Sequence, residues 1–498
     1  MNTNDAFTIR RIKKSLELQK KQKNKYILLY NAIKHCIEKI ELPHDWILPA
    51  TRVLAKELSI SRTTVVKSYE LLQLEKLIIA KIGSGYRINN DVSVKTENIS
   101  NTTVADLEMY PKISIKGESF LKNVSLTNKN SGNSVAFRPG TPPLDIFPIN
   151  QWKNLLNTYW RHVKSSKLSY ARSTGIDPLK KSISNYLNVS RNIKCDHHQI
   201  MVVSGSLQSL YLVGSVLVDQ GDAVILEDPV FPNVHSIFKS IQATMLPIST
   251  DDYGIEVQKM NDLTHLNPKL VHVTPSNHYP LGKRMNLKRR IELLGWASAN
   301  KALIIENDYE HEISNNFDNI PSIFSLDTED RTIYMGTFNR LLHPSIRLGY
   351  MVLPNYLIKA VEALQEHSHR FIAPSIQVVM NQFIERNYLY QHLKNIKEVA
   401  RERHVLFVSE FQKSKTMYLK DTHFNSLHLV ALFHKKVTQK DEAQIIKKLQ
   451  ENNITTHSLS KCYIENPKEY GLILGYSSVR SSVLIKKAQK LVSIIDLF

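Results

Sequence analysis

Cysteine is scarce in this chain, and no stretch of the sequence stays apolar for long enough to cross a bilayer. The three cysteines, Cys36, Cys195 and Cys462, are far apart and odd in number, which argues against a disulfide framework and favours a reducing compartment. The first fifteen residues carry charges but lack the apolar core of a signal peptide. We therefore expect a cytoplasmic protein without a membrane segment.

Acidic residues are fewer than basic ones, 46 against 65, which gives a net charge of +19 over 498 residues. Residues 1–90 hold 17 Lys and Arg against 8 Asp and Glu, a net charge of +9. Such a concentration is typical of a module that binds a polyanion, although a solvated basic face is the alternative. The length and the hydrophobic fraction of 42% predict a packed protein of two or three domains.

Residues 1–90 carry the pattern of three helices followed by a hairpin. Apolar residues recur at helical spacing in residues 26–40, 50–58 and 62–72, and Ser61 is placed to cap the third helix. Two β-prone runs around residues 83–85 predict a hairpin wing. In helix-turn-helix proteins the start of the second helix of the motif enters the major groove. The outward residues at that position are Arg62, Thr63, Thr64 and Lys67.

The string LPATRVLAKELSISRTTVVKSYELLQLEKLIIAKIGSGY resembles the winged helix-turn-helix of the GntR superfamily. The resemblance implies that residues 1–90 bind double-stranded DNA. A basic helical bundle without this function is the alternative, and the helix order and the wing count against it. The residues expected to contact DNA are Arg52, Arg62, Thr63, Thr64, Lys67, Gly83 and Gly85.

Residues 91–134 are rich in Asn, Ser, Thr and Lys and show little periodicity. This composition predicts a flexible linker. A linker of this length allows the DNA-binding module to dock against the large domain of a partner chain.

From residue 135 onward apolar strands alternate with helical segments, which predicts a mainly parallel sheet covered by helices on both faces. Ligands of such sheets bind beyond the carboxyl ends of the strands. There, residues 204–206 open a helix whose free amides can seat a phosphate. The predicted strands are 200–203, 223–226, 270–274, 302–305, 333–337 and 350–353.

The motifs SGSLQS, EDPVFPN, TPSNHYPLG, IIENDYEHE and GTFNRLLHPSIRLGY resemble, in this order, those of fold-type I aminotransferases, and specifically the aminotransferase-like half of MocR regulators. The likeness covers most of residues 137–498. It implies an α/β domain over 135–498, with a large part at about 165–375 and a smaller α+β subdomain at about 376–498.

The resemblance also implies a site for pyridoxal 5'-phosphate. Phe231 matches the aromatic residue that stacks on the ring, Asn277 or His278 the contacts to its edge, and Tyr309 the donor to its phenolic oxygen. The residues that match the phosphate site are Ser204, Gly205, Ser206, Thr337 and Arg347, the last as its cationic clamp.

Two positions depart from the aminotransferase pattern. The position of the Schiff-base lysine holds Arg340, preceded by Asn339. An aldimine requires a neutral amine, and a guanidinium is not deprotonated in proteins, so we expect no catalytic residue and no covalent link. Asn307 stands where the family has the carboxylate against the pyridine nitrogen, and the side chain of Asp308 points the other way on an extended chain.

The string LILGYSS offers no arginine where many relatives hold a substrate carboxylate, which makes the usual amino-acid effector doubtful. Because the phosphate residues persist, we expect a pocket that takes pyridoxal phosphate or another anionic ligand without covalent capture. Asn307 and Arg340 are among the residues expected to line this pocket. A scaffold that binds no ligand is the alternative.

The sequence thus favours a DNA-binding transcription regulator whose aminotransferase-like domain mediates dimerisation and ligand sensing. A homodimer, with a possible head-to-tail exchange of DNA-binding modules, follows from the resemblance. The alternatives are a working aminotransferase fused to a DNA-binding domain and an architectural dimer without an effector. We expect no metal site at residues 195–198, a Cys-Asp-His-His string without matching distal ligands.

Overall fold

The computed structural model describes residues 3–18, 24–39, 41–43, 45–81, 85–89, 111–123, 136–313 and 320–498. Most of the predicted linker, residues 91–110 and 124–134, lies outside the described residues, and so does Gly83. The chain divides into two compact units, Met1–Pro111 and Lys112–Phe498. The three cysteines are free.

The first unit contains the predicted three helices and hairpin, preceded by one more helix. The hairpin strands pair antiparallel, with Lys81 opposite Gly85. The elements are α1 (Thr3–Leu18), α2 (Lys25–Glu38), α3 (Thr51–Glu57), α4 (Arg62–Leu74), β1 (Ile78–Lys81) and β2 (Gly85–Ile88).

Helix α1, which the sequence did not predict, packs on the rest of the first unit. Its Ile9 and Ile12, three residues apart on one helix face, are buried in the core of the unit. The indole nitrogen of Trp46 also donates a hydrogen bond to the hydroxyl of Thr8 at 2.8 Å. A narrow apolar stripe within a lysine-rich sequence is therefore enough to fix this helix to the domain.

The second unit is built on an eight-stranded sheet in the order β3-β10-β9-β8-β7-β4-β5-β6. The pairs from β9 through β8, β7 and β4 to β5 are parallel, whereas β10 is antiparallel to both of its neighbours. All six predicted strands are present, and the sequence missed β5 and the edge strand β6. The strands are β3 (Ile200–Val203), β4 (Ala223–Asp228), β5 (Thr244–Asp251), β6 (Gly254–Ile255), β7 (Leu270–Val273), β8 (Leu303–Asn307), β9 (Thr332–Thr337) and β10 (Gly349–Val352).

Helices cover both faces of this sheet, and a four-stranded antiparallel sheet of order β11-β12-β14-β13 forms a smaller part. No helix among the described residues is both long and apolar enough to span a membrane. The helices are α5 (Ile115–Asn123), α6 (Ile149–His162), α7 (Asp177–Arg191), α8 (Ser206–Leu217), α9 (Pro232–Ser240), α10 (Val257–Met260), α11 (Leu287–Ala299), α12 (Ile323–Leu326), α13 (Ile358–Ser368), α14 (Pro374–Glu385), α15 (Tyr388–Phe411), α16 (Gln439–Glu451) and α17 (Ser481–Asp496). The small strands are β11 (Met417–Leu419), β12 (Leu429–Phe433), β13 (His457–Ser458) and β14 (Gly471–Leu474).

Alternation along the strands divides the hydrophobic core into two layers. On β3, Ile200 and Val202 pack into the cluster that contains Phe383 of α14, whereas Met201 and Val203 pack into the cluster of α8 and α9. Helix α14 packs against α6 and α7 of the large part, and the division of the domain at about residue 376 stays a prediction.

Helix α5 lies within the predicted flexible linker and is docked on α9. The hydroxyl of Ser119 donates to the carbonyl of Lys239 at 3.2 Å, and Ser236 donates to the carbonyl of Asn123 at 3.1 Å. The rings of Phe120 and Tyr211 lie 6.3 Å apart. Residues 115–123 are therefore part of the second unit and not of a free tether.

Candidate functional site

The recognition helix of the first unit begins at a capped and sharply turned end. Ser59 after α3 has a left-handed φ of 51°, and the hydroxyl of Ser61 accepts a hydrogen bond from the amide of Thr64 at 3.1 Å. On the inner side of α4, the hydroxyl of Tyr69 donates to the carbonyl of Pro49 at 2.9 Å. The buried face fixes the orientation of α4 and leaves its first turn outward.

The predicted DNA contacts occupy that outward face, with one difference. Arg62, Thr63 and Lys67 of α4 are exposed, as is Arg52 of α3. Thr64 is half-buried, and its hydroxyl lies 2.8 Å from the hydroxyl of Ser61, so it takes part in the cap. The contact role of these side chains stays a prediction.

Two further DNA-binding predictions concern the flanks of this face. The ammonium group of Lys67 lies 5.7 Å from the ring centre of Tyr26, so the end of this side chain lies against α2. Gly85 is exposed at the start of β2, opposite Lys81. Arg62 and Lys67 therefore place positive charges in the first and second turns of α4.

In the second unit, the predicted phosphate seat forms where β3 leads into α8. Gly205 has a φ of 135°, and a Cβ atom at this residue would lie 2.5 Å from the amide nitrogen of Asn339. That nitrogen donates to the carbonyl of Ser204 at 3.0 Å, and the amide oxygen of Asn339 accepts from the amide of Leu348 at 2.8 Å. Asn339, to which the sequence assigned no role, thus holds the loop of the seat against the end of β10.

The other predicted phosphate residues differ in their placement. The hydroxyl of Thr337 accepts a hydrogen bond from the amide of Asn339 at 3.2 Å and lies beside Gly205, while Ser206 begins α8. Arg347 is exposed, has a left-handed φ of 49°, and makes no hydrogen bond or ion pair with the residues that the structure describes. The structure brings the seat together without the predicted cationic clamp in contact with it.

Arg340 lies between the two aromatic residues assigned to the ring of the cofactor. Its guanidinium carbon is 5.7 Å from the ring centre of Phe231 and 4.9 Å from that of Tyr309. Phe231 in turn packs edge-to-face on Tyr279, with ring centres 4.9 Å apart. The side chain at the predicted lysine position therefore faces the aromatic part of the pocket.

A buried carboxylate holds this guanidinium at one end. Nη1 of Arg340 lies 3.3 Å from Oε1 of Glu310, whose side chain has no exposed surface. Oε2 of Glu310 accepts hydrogen bonds from Asn277 at 3.2 Å, from Ser426 at 3.2 Å and from the amide of Leu427 at 3.3 Å. The role of Glu310 has no local signal in the sequence, because two of its partners are more than a hundred positions away in the chain.

The backbone of Gly140 lies against the guanidinium of Arg340, closest to Nη1, the nitrogen that also binds Glu310. A Cβ atom at Gly140 would lie 2.3 Å from Nη1 of Arg340, and the φ of this glycine is 71°. Both the conformation and the close approach require a residue without a side chain.

At the end of β8, Asp308 and its neighbour Asn307 have different partners. Asp308 forms an ion pair with Arg191 at 2.7 Å and accepts a hydrogen bond from Tyr334 at 2.8 Å. Burial by itself raises the pKa of Asp308, but the charge of Arg191 outweighs it and lowers the pKa below its ordinary value. The amide nitrogen of Asn307 instead lies 3.5 Å from Nε2 of the buried His272.

Other titratable groups around the pocket are neutral near pH 7. Burial raises the pKa of Glu227 to about 8, although its Oε2 accepts two hydrogen bonds from Thr274, and it lies 3.8 Å from His278. Burial lowers the pKa of His278 to about 4 and that of His272 to about 3. The same cause lowers the pKa of His428. Two ion pairs lie in this region, Arg191 with Asp308 and Arg340 with Glu310.

The residues present fit a pyridoxal phosphate that is held without a covalent bond. The buried hydroxyl of Tyr309 and the amide oxygen of Asn277 find no hydrogen-bond partner among the described residues. The loop before α8, held by Asn339 at Gly205, lies at the N-terminus of this helix, where backbone amides can bind an anion. No lysine takes part in the described contacts of Phe231, Tyr309 or Arg340, so these residues do not fit covalent attachment.

Asp196, His197 and His198 have potential ligand atoms within 4.8 Å of one another. However, the carboxylate of Asp196 accepts a hydrogen bond from the amide of His198 at 2.8 Å and caps a short helical turn. This local role accounts for the cluster, and the expectation that it holds no metal stays a prediction.

Comparison with known families agrees with both halves of this description. Residues 141–471 match the family described as aminotransferase class I and II, and residues 25–88 match the bacterial regulatory proteins of the gntR family. The chain therefore belongs to the class I and II aminotransferase family and carries a gntR-type module at its N-terminal side.

Relatives with the same two-part organisation are named as regulators. The chain is 28% identical over 452 residues to the probable rhizopine catabolism regulatory protein MocR of Rhizobium meliloti, covering 91% of this chain and 90% of the relative. It is 23% identical over 437 residues to the pyridoxine biosynthesis transcriptional regulator PdxR of Corynebacterium glutamicum, covering 86% and 87%. A solved kynurenine aminotransferase of Pyrococcus horikoshii matches with a TM-score of 0.68 and 21% identity, over 79% of this chain and 98% of the enzyme, which shows the fold.

The raised pKa of Glu227 predicts a specific pH dependence of stability. Its ordinary pKa is about 4.3, so between that pH and about 8 the unfolded chain is ionised here and the folded chain is not. The folded state then binds more protons, and its stability falls as the pH rises, by up to about 1.4 kcal/mol per pH unit from this group.

In Glu227→Gln this contribution is absent, while a side-chain oxygen remains for Thr274. Urea unfolding at pH 5.5 and pH 7.5 should therefore show a loss of stability about 2 kcal/mol smaller in this variant than in the wild type. Glu329→Gln, at an exposed carboxylate whose pKa is lowered by hydrogen bonds from Arg331 and Ser298, should behave as the wild type. Equal pH dependence in wild type and Glu227→Gln contradicts a neutral Glu227.

Proposed function

We propose that this protein is a DNA-binding transcription regulator whose aminotransferase-like domain mediates dimerisation and holds an anionic ligand without covalent attachment. Pyridoxal phosphate is the first candidate for this ligand. The gntR-type module, with its exposed Arg62 at the start of α4, and the relatives named as regulators support DNA binding. Such a regulator works in the cytoplasm, where bacterial DNA lies.

The observation that carries the ligand proposal is the position of Arg340 against Phe231, Tyr309 and Glu310. When bound in an aminotransferase, pyridoxal phosphate supplies an electron sink that requires a protonated ring, and a lysine amine of the enzyme holds the group and transfers protons. Arg340 cannot supply the amine, and Asn307 cannot supply the carboxylate that keeps the ring protonated. A pseudo-aminotransferase that senses rather than converts its ligand fits these residues better than a working enzyme does.

Exposed apolar side chains on and after α6 support a homodimer. Trp160 is 56% exposed and Tyr170 is 79% exposed, and Leu168 is exposed between them. Tyr170 also borders a cleft of about 1080 Å³ together with Tyr159 and residues of α14. A second copy that covers these side chains brings two DNA-binding modules together, and a head-to-tail exchange of the modules is one arrangement of this dimer. Light scattering should then report twice the chain mass of 57.2 kDa.

The proposal predicts that Arg62 contributes to binding of a specific DNA site. We expect Arg62→Ala to weaken binding to an operator selected from random DNA by the full-length protein by about 10-fold to 100-fold, since a guanidinium contact to a base edge contributes roughly 1–3 kcal/mol. Mobility shift at a fixed salt concentration measures the effect. Arg386→Ala, the same change at an exposed residue of the second unit, is the control and should bind as the wild type does. Equal affinity of both variants contradicts the assigned recognition face.

The proposal also predicts how pyridoxal phosphate binds. Calorimetric titration of the full-length protein should give heat of binding, while borohydride reduction followed by intact mass spectrometry should show no adduct. Arg340→Lys restores a primary amine at this position and should yield a trapped adduct. An adduct on the wild-type chain contradicts non-covalent binding, and absence of heat in both proteins excludes pyridoxal phosphate as the ligand.

A further inference from the structure

We infer that the pocket selects a planar ring that carries a carboxylate, with the carboxylate bound by the free edge of Arg340 and the ring placed against Phe231. This inference rests on the proposed function, in which an anionic ligand occupies the pocket. It goes further by naming the charged group of the ligand and the side chain that recognises it.

Arg340 has most of its hydrogen-bonding capacity unused. A guanidinium has five N–H donors, and Arg340 makes one hydrogen bond, to Glu310, among the described residues. Its side chain is 20% exposed, so water reaches only part of it. A partly buried cation with free donors on one edge favours an acceptor with two oxygens.

Glu310 orients the guanidinium of Arg340 and leaves the rest of the guanidinium available to an anion. Three donors besides Arg340 already bind Glu310, and all three bind Oε2, whereas Arg340 binds Oε1. The carboxylate is therefore solvated by the protein itself. The negative charge of Glu310 fixes the orientation of the guanidinium, and the edge of Arg340 away from Glu310 stays available for a second carboxylate.

The described residues around Arg340 do not offer that second carboxylate. Glu227 is neutral near pH 7 because burial raises its pKa, and burial keeps His278 and His428 neutral as well. Asp308 is ionised but is paired with Arg191. None of these groups therefore pairs with the free edge of Arg340, and an anionic group of a ligand can bind there.

The aromatic and polar neighbours define the rest of the ligand. Phe231 is half-buried, so part of its ring is exposed, and Tyr309, only 7% exposed, has a hydroxyl without a partner among the described residues. The amide oxygen of Asn277 is likewise unpartnered there. A ring that carries a hydroxyl or a ring nitrogen next to its carboxylate can satisfy these groups.

The geometry of the guanidinium favours a carboxylate over an aldehyde. A lysine captures an aldehyde by forming a covalent bond, which arginine cannot do. The planar fork of arginine matches the two oxygens of a carboxylate and forms two parallel charge-assisted hydrogen bonds. A guanidinium in place of an amine therefore favours a ligand with a carboxylate over a ligand with a carbonyl group.

Two probes isolate this preference in the full-length protein. Pyridoxine and 4-pyridoxic acid have the same ring and both lack a phosphate, but one carries a hydroxymethyl group where the other carries a carboxylate. Calorimetry should show 4-pyridoxic acid binding at least about 10-fold more tightly than pyridoxine, since charge-assisted hydrogen bonds are worth about twice neutral ones.

Arg340→Gln should bind the two probes equally, because it removes the cation and keeps a side-chain amide. Gly140→Ala is a second variant that leaves Arg340 in the chain but displaces it, since the added methyl group would lie 2.3 Å from Nη1. It should reduce the preference as well. Lys461→Gln, a change of charge at an exposed residue of the same unit, is the matched control and should keep the wild-type preference.

Equal binding of the two probes by the wild type overturns the inference. If pyridoxal phosphate then still binds without an adduct, the proposed function stands and only the preference for a carboxylate is wrong. If the protein binds neither probe and does not bind pyridoxal phosphate, the inference and the proposed function are both contradicted. A preference that persists in Arg340→Gln also overturns the inference, because another cation then binds the carboxylate.

Discussion

The ion pair between Arg340 and Glu310 determines what the pocket of the second unit can do. It joins the loop after β9 to the turn after β8, and through the bonds of Glu310 to Ser426 and Leu427 it reaches the small part of the domain. Breaking a buried ion pair by removal of one partner costs roughly 3–5 kcal/mol, because the remaining charge is left uncompensated. The pair therefore both holds the two parts of the unit together and fixes a cation beside the aromatic rings.

The surrounding fold explains why this cation lies where ligands of the fold bind. Parallel strands place their carboxyl ends at one edge of the sheet, so that the segments after β3, β4, β8 and β9 meet there. Asn339 closes the loop at Gly205, and Arg340, the next residue, points to Phe231. Asn339 thus shapes the anion seat, and its neighbour Arg340 places a positive charge in the pocket.

The parts of the fold that the sequence predicted are those with a local signal. Strand periodicity located all six predicted strands, and the cap at Ser61 located the start of the recognition helix. Glu310 had no such signal, because its role depends on Ser426 and Leu427, which only the fold brings near. Helix α5 was missed for a similar reason, since its polar sequence is held by α9 rather than by its own periodicity.

A double-mutant cycle tests the central claim most directly. The free energy of unfolding is measured for the wild type, Arg340→Met, Glu310→Gln and the double variant. The account predicts that the two substitutions are not additive and that the coupling energy is about 1–3 kcal/mol, since the two groups share one buried interaction. Additivity within about 0.5 kcal/mol would show that Arg340 and Glu310 do not depend on each other, and would contradict the account.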